Sequence, residues 1–227
     1  MILKLVYKEN LVDNVWAFRF QPSKLFAWTA GQYVRVELPH DNPDEEGTKR
    51  WFTNSAAPYE GVLQITTRIT NSTFKQALAR LIKGGELQLI ENHEGDFVWQ
   101  DSELPIVFIA GGIGVTPFYS ILKQRTNDQL PIDVMLIYGA RSEAIPFKEE
   151  LAQWAVNNAD FNVKYVLGEP LTVEKLTELE PSLNLSLVYL SGPESMVEAL
   201  GKSLKAHGLP EAQFKHDSFP NYNEQNY

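Results

Sequence analysis

The sequence predicts two architectures in series: an antiparallel β-barrel over residues 1–100 and an α/β unit with a parallel sheet over residues 101–227. Three observations carry this. The first hundred residues hold short segments in which apolar and polar residues alternate, the period of a half-buried strand. Beyond residue 101 the strands become apolar runs separated by helical patterns, which is how parallel β-α-β units read. A glycine cluster, AGGIGVTP at 110–117, stands where the first of those runs hands over to a helix.

Residues 2–7 and 15–20 alternate around the turn-prone Glu9, Asn10, Asp13 and Asn14. Residues 33–38 alternate after Gly31, residues 62–69 do so again, and 87–90 form a further strand. This spacing suits a barrel or sandwich. One helix interrupts it. Phe74, Ala77, Leu78, Leu81 and Ile82 share a face, Asn71, Ser72 and Thr73 offer N-cap side chains, and Gly84 and Gly85 supply the stop. In the second half, residues 105–110, 132–138, 161–167 and 185–190 read as strands. Helical patterns cover 118–125, 147–156, 173–179 and 195–207. There is no internal repeat and no low-complexity segment.

The 227 residues carry a formal net charge of −9, which sets a general nucleic-acid binder at a disadvantage. No run of about 18 apolar residues is present, so no membrane span is expected. The first residues lack the features of a signal peptide, and a cytoplasmic location is the expectation. The chain has no cysteine, which excludes disulfides, thiolate nucleophiles and cysteine-held iron–sulfur or zinc sites within it. Its four histidines, His40, His93, His207 and His216, are scattered and predict no metal site. Gly-x-Ser-x-Gly is absent, and Ser191 has no sequence-evident base, so hydrolase chemistry is disfavoured. The acidic run at 41–47 reads as a solvated loop.

Gly111, Gly112 and Gly114 permit close backbone approach at the carboxyl end of a strand, just before the unpaired N–H groups of a helix. Pro117 suits the first helical turn, and Thr116 offers a hydroxyl to cap the helix or meet a phosphate. The physical expectation is a pyrophosphate site, with tight packing as the equal alternative. The pattern is neither G-x-G-x-x-G nor a Walker loop.

Three other segments keep it company. RWFTNSAAP at 50–58 sets a guanidinium, aromatics and a hydroxyl along a strand, with Arg50 and Phe52 on one face. Such a set suits a phosphate and a planar ring. YGARS at 138–142 and SGPESM at 191–196 each follow an apolar strand. In this order and on this architecture, the four motifs resemble the ferredoxin–NADP reductase superfamily over nearly the whole chain. RWFT is similar to that family's flavin signature R-x-[YF]-[ST].

The resemblance implies a flavin-binding barrel followed by a nucleotide-binding α/β domain. Arg50 would hold the flavin pyrophosphate, Phe52 would pack at the ring or ribityl, and Thr53 would hydrogen-bond near flavin N5, with Trp51 inside the motif. Asn71, Ser72 and Thr73 match the second phosphate element. Thr67 and Arg68 lie on the neighbouring strand, where Arg68 is either an exposed charge or an aid to the phosphates. Gly111, Gly112, Gly114, Thr116 and Arg141 would serve the nicotinamide dinucleotide. Ser191, Gly192 and Pro193 would lie beside the nicotinamide, Thr53 and Ser191 acting in catalysis. Phe219 or Tyr222 would cover the flavin, unless the tail is a plain strand with a frayed end.

Two departures stand out. Phe52 replaces the commoner tyrosine, and Ser191 stands where many members have cysteine. Gly168, Glu169 and Pro170 follow the strand at 161–167, and the glutamate would repel a 2′-phosphate, tilting the expectation towards NADH over NADPH. FAD is expected ahead of FMN, and the expected partner is an electron-acceptor protein or domain such as ferredoxin, flavodoxin or an oxygenase component. The rival readings are a non-enzymatic redox sensor or scaffold on the same fold and a binding module for another phosphorylated ligand.

Overall fold

A computed structural model describes residues 1–219. The first half contains β1 (Ile2–Val12), β2 (Val15–Pro22), β3 (Tyr33–Glu37), β4 (Lys49–Thr53), β5 (Leu63–Arg68), helix α1 (Thr73–Arg80) and β6 (Glu86–Glu94). Its strands form one six-stranded antiparallel sheet, ordered β4-β3-β6-β1-β2-β5. The expected turn at Glu9 and Asn10 is not a turn. β1 runs on to Val12 through register shifts, and the hairpin closes at Asp13, whose φ is 44°.

Alternation places Leu3, Leu5, Phe18, Phe20, Val34 and Val36 inside the curled sheet, and α1 adds Phe74 and Leu78. The edges β4 and β5 are joined just beyond Thr53. Ser55 N–H donates to the Gln64 carbonyl at 2.9 Å, and the buried Asn54 Oδ1 accepts from Gln64 N–H at 2.9 Å. The residues after the RWFT segment thus close the curl, which fixes where Thr53 points.

The second half contains β7 (Ile106–Gly111), α2 (Val115–Asn127), β8 (Val134–Ala140), α3 (Lys148–Asn157), β9 (Phe161–Leu167), α4 (Val173–Leu179), β10 (Leu187–Pro193), α5 (Glu194–Ala206) and β11 (Phe214–Phe219). The strands make a parallel sheet in the order β11-β10-β7-β8-β9. Both faces are covered, as a parallel sheet requires. Phe108 and Tyr189 pack with Phe118 of α2 on one face, whereas Val107, Ile109, Val188 and Leu190 pack with Leu200 and Leu204 of α5 on the other. After β9 the chain returns to the far side of β7, so strand order reverses between β7 and β10. Ligands of open α/β sheets bind at the carboxyl ends flanking such a reversal.

Helix α2 fastens the halves together. Ser120 Oγ donates to the Ala56 carbonyl at 2.7 Å, and Lys123 Nζ lies 2.9 Å from Glu60 Oε1. Glu60 also pairs with Arg19 of β2 and accepts from Ala57 N–H at 2.8 Å. Burial raises the pKa of Glu60, but the Ala57 N–H and the two cations outweigh it and hold the carboxyl below its ordinary range.

Candidate functional site

Strand alternation on β4 does what the sequence suggested. Arg50 and Phe52 both lie against Phe74, the guanidinium 5.3 Å and the ring 5.8 Å from that ring's centre. Trp51 faces the other way, edge-on to Tyr33 at 5.3 Å and under the Arg35 guanidinium at 5.4 Å. A cavity of about 450 Å³ opens here, walled by Arg50, Trp51, Phe52 and Thr53 of β4, by Ser72 and Lys75 at the start of α1, and by Asp217, Ser218 and Phe219 of β11. Thr53 is 4% exposed, and its hydroxyl has no hydrogen-bond partner among the described residues. An unpaired buried hydroxyl costs about 1–3 kcal/mol, so a polar atom entering the cavity beside it would relieve that cost. The Ser72 hydroxyl is orphaned in the same way.

The acidic segment is not a plain solvated loop. Asp44 Oδ1 pairs with Arg50 Nη2 at 2.8 Å, and Asp44 Oδ2 accepts from Thr73 N–H at 3.0 Å. The cap of α1 therefore comes from Asp44; Ser72 makes no cap bond. Glu46 Oε2 takes Arg50 Nε at 2.8 Å. Burial pushes the Asp44 carboxyl up, yet the Thr73 N–H, the Arg50 guanidinium and the Thr73 hydroxyl together hold it below its usual range. Thr67 is fully buried in β5, opposite Trp16. Arg68 donates to Asn14 beside a separate cavity of about 760 Å³, which Asn71 and Ser72 also line.

At the strand reversal, Gly114 meets β10 so closely that a Cβ on it would lie 2.3 Å from the Ser191 carbonyl oxygen. Tight packing thus accounts for one glycine of the cluster. Gly112 adopts a φ of 45°, and its carbonyl accepts from the Tyr138 hydroxyl at 2.8 Å. The Thr116 hydroxyl donates to the Ile113 carbonyl at 3.0 Å and so serves its own helix. Gly111 and Pro193 face a second cavity, of about 690 Å³, whose far side carries Arg141, Gly168 and Glu169. Glu169 lies 3.9 Å from Lys175. A Cβ on Gly192 would meet the Met196 methyl at 2.5 Å. The Ser191 hydroxyl is fully buried and has no hydrogen-bond partner among the described residues.

The two cavities flank the paired ends of β10 and β11, where Ser191 lies opposite Asp217 and Pro193 opposite Phe219. Phe219 faces the first cavity and Pro193 the second. Tyr222 lies outside the described residues. Desolvation drives the Asp217 carboxyl up to about 6, with Asp96 adding repulsion and the Ser218 N–H opposing.

Sequence reasoning did not single out Asp44, Asn54, His93 or Asp217. Asn54 Nδ2 donates to His93 Nε2 at 3.0 Å, behind Thr53. His93 stacks on Trp28 and Phe26 at 5.0 and 4.9 Å, and burial lowers its pKa to about 4. Asp44 had a signal, an acid cluster before a basic strand. Asn54 sat unremarked inside the RWFTNSAAP segment, and His93 and Asp217 are single residues with no local pattern.

Residues 108–202 match the family model of the oxidoreductase NAD-binding domain. A curated relative from Yersinia pestis, CDP-6-deoxy-L-threo-D-glycero-4-hexulose-3-dehydrase reductase, is 26% identical over 90% of this chain and 64% of its own length. The chain spans less than two thirds of the length of that relative and of several others that it matches. The FAD/NAD-binding domain of nitric oxide dioxygenase from Vibrio cholerae superposes with a TM-score of 0.82 at 22% identity, covering 96% of this chain and 98% of that one. A ferredoxin–NADP⁺ reductase from Neisseria gonorrhoeae, solved with FAD and NADP, gives 0.79 at 18% identity, with 96% and 98% covered. The chain shares the fold of these two solved structures, a curled antiparallel sheet followed by a parallel α/β sheet. Residues 108–202 thus resemble an oxidoreductase NAD-binding domain, and the chain has no cysteine to hold an iron–sulfur cluster.

Proposed function

We propose that the chain is an NAD(P)H-dependent flavoprotein reductase that takes hydride onto FAD and passes electrons to an acceptor protein such as ferredoxin, flavodoxin or an oxygenase component. The observation that carries this is the pair of cavities on either side of the β10–β11 strand ends, one beside the RWFT segment and one beside the glycine turn. Residues 1–100 would form the flavin half and residues 101–227 the nicotinamide half. The orphaned Thr53 hydroxyl and the aromatic wall fit a planar ring with polar edges. Bound flavin supplies the exchange between hydride and single-electron chemistry.

The chain's own contribution is positioning. Thr53 and Ser191 present hydroxyls with no competing partner among the described residues. Phe52, Trp51 and Phe219 line the first cavity and would border the ring. Desolvation lets the Asp217 carboxyl, on the wall of the first cavity, hold a proton in the mildly acidic range up to about pH 6. Gly111 lines the second cavity, where Pro193 faces Arg141 and Glu169. Glu169 would accept from a ribose hydroxyl and repel a 2′-phosphate, which favours NADH. A relative named as the reductase of a dehydrase supports a protein acceptor. No helix among the described residues is long and apolar enough to cross a membrane, and we place the acceptor in the same cytoplasmic compartment.

Flavin absorbance of the purified chain, bleached anaerobically by NADH faster than by NADPH, is the expected result. A colourless protein that FAD does not reconstitute would sink the proposal, and faster bleaching by NADPH would remove the role of Glu169.

A further inference from the structure

We propose that Asp44 is a built-in anion seated in the phosphate cradle, so that the 41–47 loop gates pyrophosphate-bearing ligands of the first cavity. The inference rests on the flavin reading for the identity of its ligand, and on geometry for the gate. A guanidinium beside a helix amino end is an anion site. Here both donors are taken by one carboxylate: Arg50 Nη2 by Oδ1 at 2.8 Å, and Thr73 N–H by Oδ2 at 3.0 Å.

The loop binds itself in place with further contacts. Thr73 Oγ1 accepts from Asp44 N–H at 2.9 Å, and Gly47, at a φ of 70°, turns back to donate to the Asp44 carbonyl at 2.8 Å. The rest of the guanidinium is also occupied from this segment. Nε goes to Glu46 Oε2, and Nη1 goes to the carbonyls of Glu46, Gly47 and Lys49 at 2.8–3.0 Å. Arg50 is thereby satisfied without an external anion.

Position supplies the second argument. The cavities of about 450 and 760 Å³ share Glu46, Thr70 and Ser72 in their walls. A ligand reaching from one into the other must pass the place where Asp44 meets Arg50 and Thr73. A flavin without phosphate would need only the first cavity, whose walls stand with the loop in place. A dinucleotide requires Asp44 to withdraw and its pyrophosphate to take over the same two donors.

Asp44→Asn tests this in the full chain stripped of flavin. The amide oxygen still caps Thr73 N–H, so the fold is retained, and circular dichroism melting checks that it is. Titration with riboflavin and FAD, read by flavin fluorescence, and with inorganic pyrophosphate, read by thermal shift, gives the outcomes. The variant should bind FAD and pyrophosphate at least about tenfold tighter than the unaltered chain, with riboflavin unchanged. Glu46→Gln should move the same two ligands in the same direction by less. Weaker or unchanged FAD and pyrophosphate binding by Asp44→Asn would overturn the gate and show that Asp44 only orients Arg50. Failure of every form to bind either flavin, with pyrophosphate still tightened by Asp44→Asn, would leave the gate standing and remove the flavin reading.

Discussion

Gly114 and the Ser191 carbonyl are in such contact that no side chain fits between them: a Cβ would sit 2.3 Å from the oxygen. The glycine turn is thereby pinned to the end of β10, beside the cavity that Gly111 and Pro193 line and that we propose takes the nicotinamide dinucleotide. Gly114→Ala must push the turn and the strand end apart. Overpacking of this kind costs roughly 1–3 kcal/mol, and a shift of about an ångström at a reacting centre can cost up to about a hundredfold in rate. The expected outcome is a melting temperature several degrees lower and NADH-driven flavin reduction at least about tenfold slower. Reduction at the unaltered rate would show that the contact does not position the nicotinamide.

Thr53→Val separates the ligand role of the hydroxyl from its packing. The side chains are nearly isosteric, and the hydroxyl has no partner among the described residues. Without flavin the variant should melt at the same temperature or higher, by up to about 1 kcal/mol of stability. With flavin it should reduce more slowly. A loss of stability in the flavin-free protein would mean that the hydroxyl is satisfied internally.

Asp217 gives a pH signature of defined sign. Its folded pKa of about 6 lies above the ordinary 3.8. The protonated form is therefore favoured by folding, and its stabilisation is present at low pH and lost as pH rises from about 4 through about 6. Asp217→Asn abolishes that loss, so the variant's advantage in melting temperature should grow between pH 4 and pH 7. A difference that stays flat across that window would contradict the desolvated carboxyl.

His93 runs the other way. Burial lowers its folded pKa from 6.5 to about 4, so the neutral ring contributes stability that is present above about 6.5 and lost as pH falls towards 4. His93→Phe keeps the stack on Trp28 and Phe26 and removes the titration. Melting curves from pH 7 to pH 4.5 should fall less steeply for the variant, and equal slopes would place the acid sensitivity elsewhere.

Much of this was legible in the sequence. The helices at α4 and α5 and the strand β9 stand within a residue of where the apolar pattern put them, because buried parallel strands and amphipathic helices advertise their period. Arg50 and Phe52 share a face because a strand alternates. The contacts made across long sequence distances were not legible. Ser191 meets Gly114 and Asp217 through sheet order, and Asn54 reaches His93 across the curl. The acidic run showed its charge, but only the fold shows that Asp44 turns inward to cap a helix whose own Ser72 leaves it uncapped.

Helix α2 begins at the glycine turn and ends its first three turns on the barrel, through Ser120 to Ala56 and Lys123 to Glu60. It ties the glycine turn of the parallel sheet to the first half of the chain. On the proposed reading, the spacing between hydride donor and acceptor would be set by a helix rather than by a hinge, and substitutions at Ser120 or Lys123, which line neither cavity, would be levers on that spacing.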